Sequence, residues 1–192
     1  NKKINVLKKI TYNFNKGKIY SLIGPSGSGK STLLNILSLI DRPTSGSVKF
    51  EKKEINFNNI DFNDNFRANK IGIIYQQNNL LPDFTALENV YLARLALIDN
   101  KKDAIETAKQ LLKKVKLTSR IHHYPSELSG GEMQRVSIAR TLINDPKIIL
   151  ADEPTGSLDQ NTAKEVFNIL YKLKSRNRLI IYATHNRFFA NM

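Results

Sequence analysis

The sequence predicts an α/β fold in which helices cover a mainly parallel sheet. Short apolar runs typical of buried strands alternate along the chain with longer segments of helical periodicity. One of these runs leads directly into a glycine-rich loop and a helix, and polar residues follow three others. Because parallel strands present their carboxyl ends at one edge of a sheet, the loop and these polar residues are expected to meet there.

The first part of the chain is predicted to join exposed strands to one buried strand. Alternating side chains indicate strands at 10–14 and 47–55, and the region is expected to form an antiparallel edge. The mainly apolar run at 19–23 indicates a buried strand, which is followed by a helix at 31–40. The segment 56–70 is rich in Asn and Asp and is expected to be irregular or weakly helical.

The rest of the chain is predicted to alternate helices with buried strands. The strands are expected at 71–75, 148–151 and 179–183, and the helical segments at 85–117, 129–143 and 160–174. The first two helical segments begin with capping boxes, in which Ser or Thr is followed three residues later by Glu. The region from about 85 to 143 is therefore expected to form a helical subdomain inserted in the core.

The composition is that of a globular protein and excludes several functional classes. Hydrophobic residues make up 41% of the 192 residues, yet no run approaches the ~18 consecutive apolar residues of a membrane span. Without a signal-peptide pattern, a cytosolic location is expected. The absence of cysteine excludes disulfides and thiolate metal sites. The net charge of +13 is compatible with nucleic acid or an acidic membrane as partner, but scattered lysine pairs favour a simple solvated basic surface.

The glycine-rich loop fits the phosphate-binding pattern G-x-x-x-x-G-K-[ST] at every fixed position. Its residues are Gly24, Pro25, Ser26, Gly27, Ser28, Gly29, Lys30, Ser31 and Thr32. The glycines allow backbone conformations that point successive N–H groups at a phosphate. Lys30 supplies a charge for the β- and γ-phosphates of a nucleotide, and the Ser31 hydroxyl is placed to bind Mg²⁺. A loop that only turned the chain would leave Lys30 and the flanking strand and helix unexplained.

Polar residues at the carboxyl ends of three predicted strands extend this site. Asp152 follows an apolar run and can hold Mg²⁺, usually through water, and the adjacent Glu153 can orient or deprotonate an attacking water. Gln76 offers its amide to metal and water, and His185 follows the last strand. Each has a structural alternative, since a strand-end Gln or a lone His is usually not catalytic. Their convergence on one sheet edge favours the functional interpretation.

The segment 129–132 has two interpretations, which are compatible with each other. Ser129 and Glu132 form a capping box that starts a helix. Gly130 and Gly131 also expose N–H groups at the positive end of that helix, where a phosphate can bind. The segment is therefore a candidate second anion site.

The stretch 128–135, with the sequence LSGGEMQR, resembles the signature motif of the ATP-binding-cassette (ABC) ATPases. The P-loop, Gln76, the strand that ends at Glu153, residues 157–159 and His185 follow in the order and spacing of that family. The resemblance extends from about Val6 to the C-terminus. The stretches 80–90 and 151–159 are similar to the lipoprotein-release branch of the family, which groups with macrolide-export and cell-division ATPases.

This resemblance implies an ABC-type nucleotide-binding domain that binds ATP and Mg²⁺ and hydrolyses ATP to power a membrane transporter or extraction complex. Release of lipoproteins from the inner membrane is the activity it favours. It implies a head-to-tail homodimer, in which Ser129, Gly130 and Gly131 of one chain close on the ATP held by Lys30 of the other. Asp159 would lie at the dimer seam and His185 on the γ-phosphate.

The resemblance also implies a membrane partner. Gln76 and the helical subdomain would contact integral inner-membrane permease subunits, so that the ATPase lies peripherally on the cytoplasmic face of the inner membrane. A cell-division-type signalling ATPase and a macrolide or peptide exporter ATPase stay open as alternatives. A soluble ABC ATPase acting on nucleic acid or ribosomes is disfavoured, because its coiled-coil insertions or paired cassettes do not fit in 192 residues. Nucleic acid is therefore not expected as a partner.

The chain departs from the family pattern at a few positions. Glu132 stands where Gln is common, and Asn186 follows His185 where an acid is more usual. The adenine-stacking aromatic residue of the family is expected upstream of Asn1, and the family continues beyond the point where this chain stops. The chain is therefore expected to be a single ABC ATPase domain, 1–192, that is truncated at both ends.

Overall fold

Strands and helices alternate along the part of the chain that the computed structural model describes, residues 5–186 and residue 188. The strands are β1 (Ile19–Ile23), β2 (Lys49–Phe50), β3 (Lys53–Glu54), β4 (Ile71–Ile74), β5 (Ile148–Asp152) and β6 (Leu179–Thr184). The helices are α1 (Lys30–Leu37), α2 (Ile60–Lys70), α3 (Ala86–Leu95), α4 (Lys101–Lys114), α5 (Gly130–Leu142) and α6 (Gln160–Lys172), with 3-10 turns at Thr118–Arg120 and Pro125–Glu127. The predicted α/β fold is confirmed.

The main sheet is parallel and, within the described residues, holds its strands in the order β1, β6, β5, β4. Ile19 lies opposite Ile180, and Ile148 lies opposite both Leu179 and Ile71. The loops that follow the carboxyl ends of these strands therefore emerge at the same edge of the sheet. These strands begin and end within one residue of their predicted bounds.

Successive side chains of β5 and β6 point to two apolar cores on opposite faces of the sheet. Ile149 and Ile180 lie in one core, together with buried side chains of α3, α4, α5 and α6. Leu150 and Ile181 lie in the other core, with Leu34 of α1. A strand that is buried on both faces forms a continuous apolar run in the sequence, which explains why these strands were predictable.

Helices α3, α4 and α5 pack against one another and contribute to the first of these cores. α4 buries Ala104, Ala108, Leu111 and Leu112, which recur at helical spacing along one face. The predicted continuous helical region 85–117 is wrong in its middle, because α3 ends at Leu95 and α4 begins only at Lys101. Asn100 caps the new start by accepting a hydrogen bond from the N–H group of Asp103.

The predicted strand at 10–14 is wrong, since these residues adopt no regular strand structure. The rings of Tyr12 and Phe14 instead pack on each other and on Tyr20, with centroids 4.8 to 5.9 Å apart. The alternation of side chains that suggested a strand therefore reflects aromatic packing at the beginning of β1. It also places Tyr12 beside the amino end of that strand, away from the P-loop at its carboxyl end.

The predicted strand at 47–55 is also wrong, because the chain reverses in its middle. β2 and β3 pair antiparallel as a small separate sheet, with Lys49 opposite Glu54. Glu51 and Lys52 make the turn with φ angles of 47° and 71°. Hairpin turns with two positive φ angles usually carry Asn or Gly, so this Glu-Lys pair gave no turn signal in the sequence.

The segment 56–70 is more ordered than its composition predicted. It contains α2, which Asn59 starts by accepting a hydrogen bond of 3.1 Å from the N–H group of Phe62. Asn63 is buried and donates its side-chain amide to the carbonyl oxygen of Asn56. The Asn-rich composition therefore supplies a helix cap, at Asn59, and a buried amide nitrogen that has an acceptor, at Asn63. α1, by contrast, ends at Leu37 and is shorter than predicted.

No helix of the described residues is both long and apolar enough to cross a lipid bilayer.

Candidate active site

The P-loop joins β1 to α1 and depends on its glycines for its shape. Gly29 caps α1 with a φ angle of 91°, a conformation that other residues rarely adopt. A Cβ atom at Gly29 would also lie 2.9 Å from the Leu7 side chain. At Gly24 a Cβ atom would lie 2.6 Å from the Ser28 hydroxyl, so the loop is too tight there for a side chain. The glycines therefore allow the loop to be as tightly wound as it is.

Lys30 holds its charge inside this loop. Its ammonium donates hydrogen bonds to the carbonyl oxygens of Gly24, at 2.8 Å, and Pro25, at 3.0 Å. The same nitrogen lies 3.7 Å from Oε1 of Glu153, and only 10% of the Lys30 side chain is exposed. Because a partly buried pair is poorly screened by water, Lys30 and Glu153 attract each other strongly across the site.

Glu153 is held between Lys30 and His185. Its Oε2 atom lies 3.0 Å from Nδ1 of His185, and 13% of its side chain is exposed. The backbone leaves the sheet at this residue with a φ angle of 45°, and its N–H group donates to the carbonyl oxygen of Ala183. This arrangement fixes a carboxylate beside the P-loop, where it can accept a proton from a water molecule.

The oxygen atoms around Asp152 suit a magnesium ion. Oδ1 of Asp152 is buried and, among the described residues, has no hydrogen-bond partner. A buried carboxylate oxygen of this kind is normally satisfied by a donor or a cation. Ser31 at the start of α1 and Gln76 after β4 offer further oxygen ligands, the donor type that Mg²⁺ prefers. The residues present therefore fit the ion.

Gln76 lies close to the loop that follows β5. Its side-chain nitrogen is 3.1 Å from the position that a Cβ atom on Gly156 would occupy. Gly156 in turn donates its N–H group to the carbonyl oxygen of Glu153. The structure thus brings together Lys30, Glu153 and His185 directly, and connects Gln76 to them through this loop.

The segment 129–131 occupies a different part of the chain's surface. A Cβ atom at Gly131 would lie 2.2 Å from the methyl group of Thr162, and one at Gly130 would lie 3.5 Å from Leu158. No hydrogen bond or ion pair between described residues joins this segment to Lys30 or Glu153. It therefore packs on the start of α6 and does not reach the P-loop of the same chain.

The predicted capping box at the start of α5 is confirmed, and it determines which N–H groups remain available. The N–H group of Ser129 donates to Oε2 of Glu132 at 2.8 Å, and the N–H group of Glu132 donates to the Ser129 hydroxyl at 3.3 Å. Within the described residues, the N–H groups of Gly130 and Gly131 have no acceptor. The N–H group of the exposed Gly130 is therefore free to bind an anion at the positive end of the helix, whereas Gly131 is buried against Thr162.

Asp159 caps the start of α6. Its Oδ1 atom accepts hydrogen bonds from the N–H groups of Asn161, at 3.0 Å, and Thr162, at 3.1 Å. The hydrogen bond with Thr162 lowers the pKa of this carboxyl below its usual value. Asp159 also lies next to Leu158, which contacts the segment 129–131. The structure thus places Asp159 with the signature segment and not with the P-loop.

Two polar side chains of α5 hold the loop around Gln76, and the sequence did not reveal them. Gln134 is buried and donates to the carbonyl oxygen of Tyr75 at 3.3 Å. Arg140 donates to the carbonyl oxygens of Asn78 and Asn79, both at 2.7 Å. Burial lowers the pKa of the Arg140 guanidinium, and both contacts span about 60 positions of the chain. The one local signal was a polar residue on the buried face of a helix, at Gln134.

Asn89 holds the next part of that loop. Its buried amide donates to the carbonyl oxygens of Leu81, Phe84 and Thr85, and its oxygen accepts from the N–H group of Leu81 at 2.7 Å. The loop from β4 to α3 is therefore bound along its length to side chains of α3 and α5.

A cleft of about 430 Å³ opens between the sheet and the helices on one side of this loop. α2 and β4 form one wall, and α3 and α5 form the other. Its lining includes Arg67, Ile71, Tyr75, Ala93, Arg140 and Asn144. Since Tyr75 precedes Gln76, the cleft lies directly beside the loop that carries Gln76.

Comparisons with known proteins agree on one family. A family model described as ABC transporter matches residues 7–156. The chain is 51% identical to the lipoprotein-releasing system ATP-binding protein LolD of Rickettsia bellii, over 98% of this chain and 83% of that protein. It is 46% identical to the protein of the same name from Cytophaga hutchinsonii, over 98% of this chain and 87% of that protein.

Solved structures give the same result for the fold. The structure described as the dimeric structure of MJ0796, a bacterial ABC transporter cassette, superposes with a TM-score of 0.88 and 40% identity, over 97% of this chain and 82% of that one. A dimeric post-hydrolysis state of the same cassette, bound to ADP and Pi, superposes with a TM-score of 0.87 and 39% identity, over 96% of this chain and 82% of that one. The similarity therefore covers nearly the whole chain.

Proposed function

The chain belongs to the ABC transporter family, and from that premise we propose that it hydrolyses ATP to drive the release of lipoproteins from a membrane. The observation that carries this proposal is the position of Glu153, held beside the P-loop between Lys30 and His185. The identity of 51% and 46% to LolD proteins of two bacteria supports lipoprotein release as the process that hydrolysis drives.

The residues at the carboxyl edge of the sheet have different roles in ATP binding and hydrolysis. The P-loop N–H groups and Lys30 bind the phosphates of ATP. Asp152, Ser31 and Gln76 would hold Mg²⁺, which when bound neutralises part of the phosphate charge. Glu153 accepts a proton from the attacking water, and His185 orients the Glu153 carboxylate and faces the γ-phosphate. The buried, unpaired oxygen of Asp152 supports the metal assignment.

A second copy of the chain completes the site. Ser129, Gly130 and Gly131 bind the ATP held by the partner's P-loop, and Asp159 lies at the seam between the copies. The N–H groups of Gly130 and Gly131, which have no acceptor among the described residues, support this role. The lack of any hydrogen bond or ion pair between this segment and Lys30, within the described part of the chain, also supports it. The dimeric structure of the related cassette, 40% identical, supports a homodimer, and we infer that its two chains lie head to tail.

An integral membrane permease is the partner whose conformation ATP binding and hydrolysis change. α3, α4 and α5 act as a helical subdomain, and a short amphipathic helix of the permease binds in the cleft between that subdomain and the sheet. The cleft supports this because it adjoins the loop of Gln76, and Arg140 lines it while holding that loop. The ATPase then sits peripherally on the cytoplasmic face of the inner membrane.

The proposal is tested by reconstituting the protein with its permease in liposomes that contain an acylated lipoprotein. We expect ATP-dependent release of the lipoprotein, and ATP turnover that rises when both permease and lipoprotein are present. ATP turnover that responds to the permease but not to any lipoprotein would refute the substrate and leave the transporter assignment in place. Stimulation by duplex DNA or ribosomes without binding to a permease would refute both.

A further inference from the structure

The capping box of α5 is linked to a cation that lies outside the helix. Oε2 of Glu132 accepts a hydrogen bond from the Ser129 N–H group. Its other oxygen, Oε1, accepts a hydrogen bond of 3.0 Å from Nε of Arg120. Arg120 ends the 3-10 turn Thr118–Arg120, and its Nη1 atom lies 3.1 Å from Nε2 of His123. The guanidinium is therefore fixed on two sides, and one of these fixes it against Glu132.

The charge of Glu132 would oppose the binding that is proposed for this segment. The hydrogen bond from the Ser129 N–H group is the largest influence that lowers the pKa of Glu132, so this carboxyl is ionised at neutral pH. Only 18% of its side chain is exposed, and the charge is thus incompletely screened by water. Glu132 accepts the Ser129 N–H group, and its negative charge therefore lies close to a phosphate bound at 129–131 and repels it.

A glutamine at this position would cap the helix without that repulsion. The carbonyl oxygen of a Gln side chain can accept the Ser129 N–H group equally well. A glutamate therefore needs a compensating cation, and Arg120 is the cation bound to it. Arg135 also lies near Gly131, but among the described residues it forms an ion pair with Glu165, at 3.9 Å, and none with Glu132.

We propose that Arg120 is a positioning residue that cancels the charge of Glu132, so that an acidic capping box can face the phosphate of ATP. This proposal rests on the function proposed above, in which the segment 129–131 binds the partner's nucleotide. The Arg120–Glu132 pair has no net charge, so it neither attracts nor repels the nucleotide. Glu132 alone would repel the nucleotide, and Arg120 alone would attract it.

The test compares Arg120→Gln, Glu132→Gln and the double variant, all made in a Glu153→Gln chain so that bound ATP is not consumed. The dissociation constant of the ATP-dependent dimer is measured by analytical ultracentrifugation. We expect Arg120→Gln to weaken the dimer by about threefold to tenfold, as one partly screened charge does, and Glu132→Gln to strengthen it by a similar factor. In the double variant these opposite effects should cancel, which restores the parent's affinity.

Salt and a matched variant separate charge from structure. Raising the salt concentration should shrink the difference between Arg120→Gln and its parent, because it screens the uncompensated carboxylate. Lys109→Gln removes one positive charge from an exposed position of α4 and should leave the dimer unchanged. If Arg120 only anchored its turn, the loss would persist in the double variant and would not depend on salt.

The outcomes distinguish this inference from the function on which it rests. If the parent forms no dimer with ATP, the trans role of the segment 129–131 is wrong, and the inference falls with it. If the parent dimerises with ATP but the double variant stays as weak as Arg120→Gln, only the inference is overturned. Opposite effects of the single variants that cancel in the double variant support it.

Discussion

Glu153 combines an unusual backbone with a tightly held side chain. A left-handed conformation costs a residue other than glycine about 1 kcal/mol, and Glu153 adopts it with a φ angle of 45°. The conformation turns the chain out of β5 immediately after Asp152 and aims the carboxylate at Lys30 and His185. The backbone at this residue therefore serves the site at a cost to the stability of the strand end.

Replacing Glu153 by Gln should stop hydrolysis without preventing ATP binding. The amide keeps the size of the side chain but cannot accept a proton from water, so we expect turnover to fall by about 100-fold or more. Steady-state ATP turnover and calorimetric ATP binding measure the two effects. Glu106→Gln, an exposed change on α4, serves as the control and should alter neither. Turnover close to that of the parent would refute the role of Glu153 as base.

At this scale the sequence indicated candidate site residues because local chemistry fixes their spacing. The P-loop needs its glycines and lysine at set intervals, and Asp152 and His185 follow apolar runs. Gln134, Arg140 and Asn89 were not predicted, since their partners are backbone carbonyl groups. Any residue provides such a carbonyl, so no pairing of residue types marks these contacts in the sequence.

The helix starts are the elements whose stability depends most clearly on charge. The capping hydrogen bonds from Thr85 and Ser129 hold the pKa values of Glu88 and Glu132 below the usual 4.5. A carboxyl with a lowered pKa in the folded state stabilises that state fully above its unfolded pKa. This contribution is lost as the pH falls through the lower, folded pKa.

Acid should therefore destabilise the protein partly through these two caps. We expect the free energy of unfolding, measured with urea, to decrease as the pH falls below about 4.5. In a Glu88→Gln, Glu132→Gln variant this decrease should be smaller, because a neutral cap does not titrate. Glu106→Gln lies outside any cap and should keep the parent's decrease. If the free energy of unfolding fell equally steeply with acid in the parent and in the Glu88→Gln, Glu132→Gln variant, this explanation would be contradicted.

Elements with a strong apolar period were predicted well, and elements defined by turns were not. β5 and β6 are buried on both faces, so nearly all of their side chains are apolar and together form a continuous apolar run in the sequence. The hairpin of β2 and β3 depends on two positive φ angles at Glu51 and Lys52, which the residue types do not reveal. α2 was predicted only as irregular or weakly helical, because its apolar side chains are sparse and its Asn residues suggested a loop.

At the scale of the whole molecule, the proposed site is shared between two chains. A Ser129→Arg chain lacks a usable signature segment, and a Lys30→Ala chain lacks a usable P-loop, so each should be inactive alone. A mixed dimer contains one site built from both intact parts. Equal mixing should therefore restore about a quarter of the parent's ATP turnover, since half the dimers are mixed and each has one working site.

A doubly altered chain provides the control for this mixture. Ser129→Arg, Lys30→Ala chains mixed with Ser129→Arg chains can form no intact site, and no turnover should return. Restored activity in that control, or none in the first mixture, would contradict a site that is composed in trans.

Helix α5 gives such a dimer a further property. In the proposed dimer its first residues would face the partner's nucleotide, while Gln134 and Arg140, farther along the same helix, hold the loop of Gln76 in their own chain. The span between Ser129 and Arg140 is about 16 Å of rigid helix. In the proposed symmetric dimer, each α5 would thus link the nucleotide bound by the partner to the loop of Gln76 in its own chain.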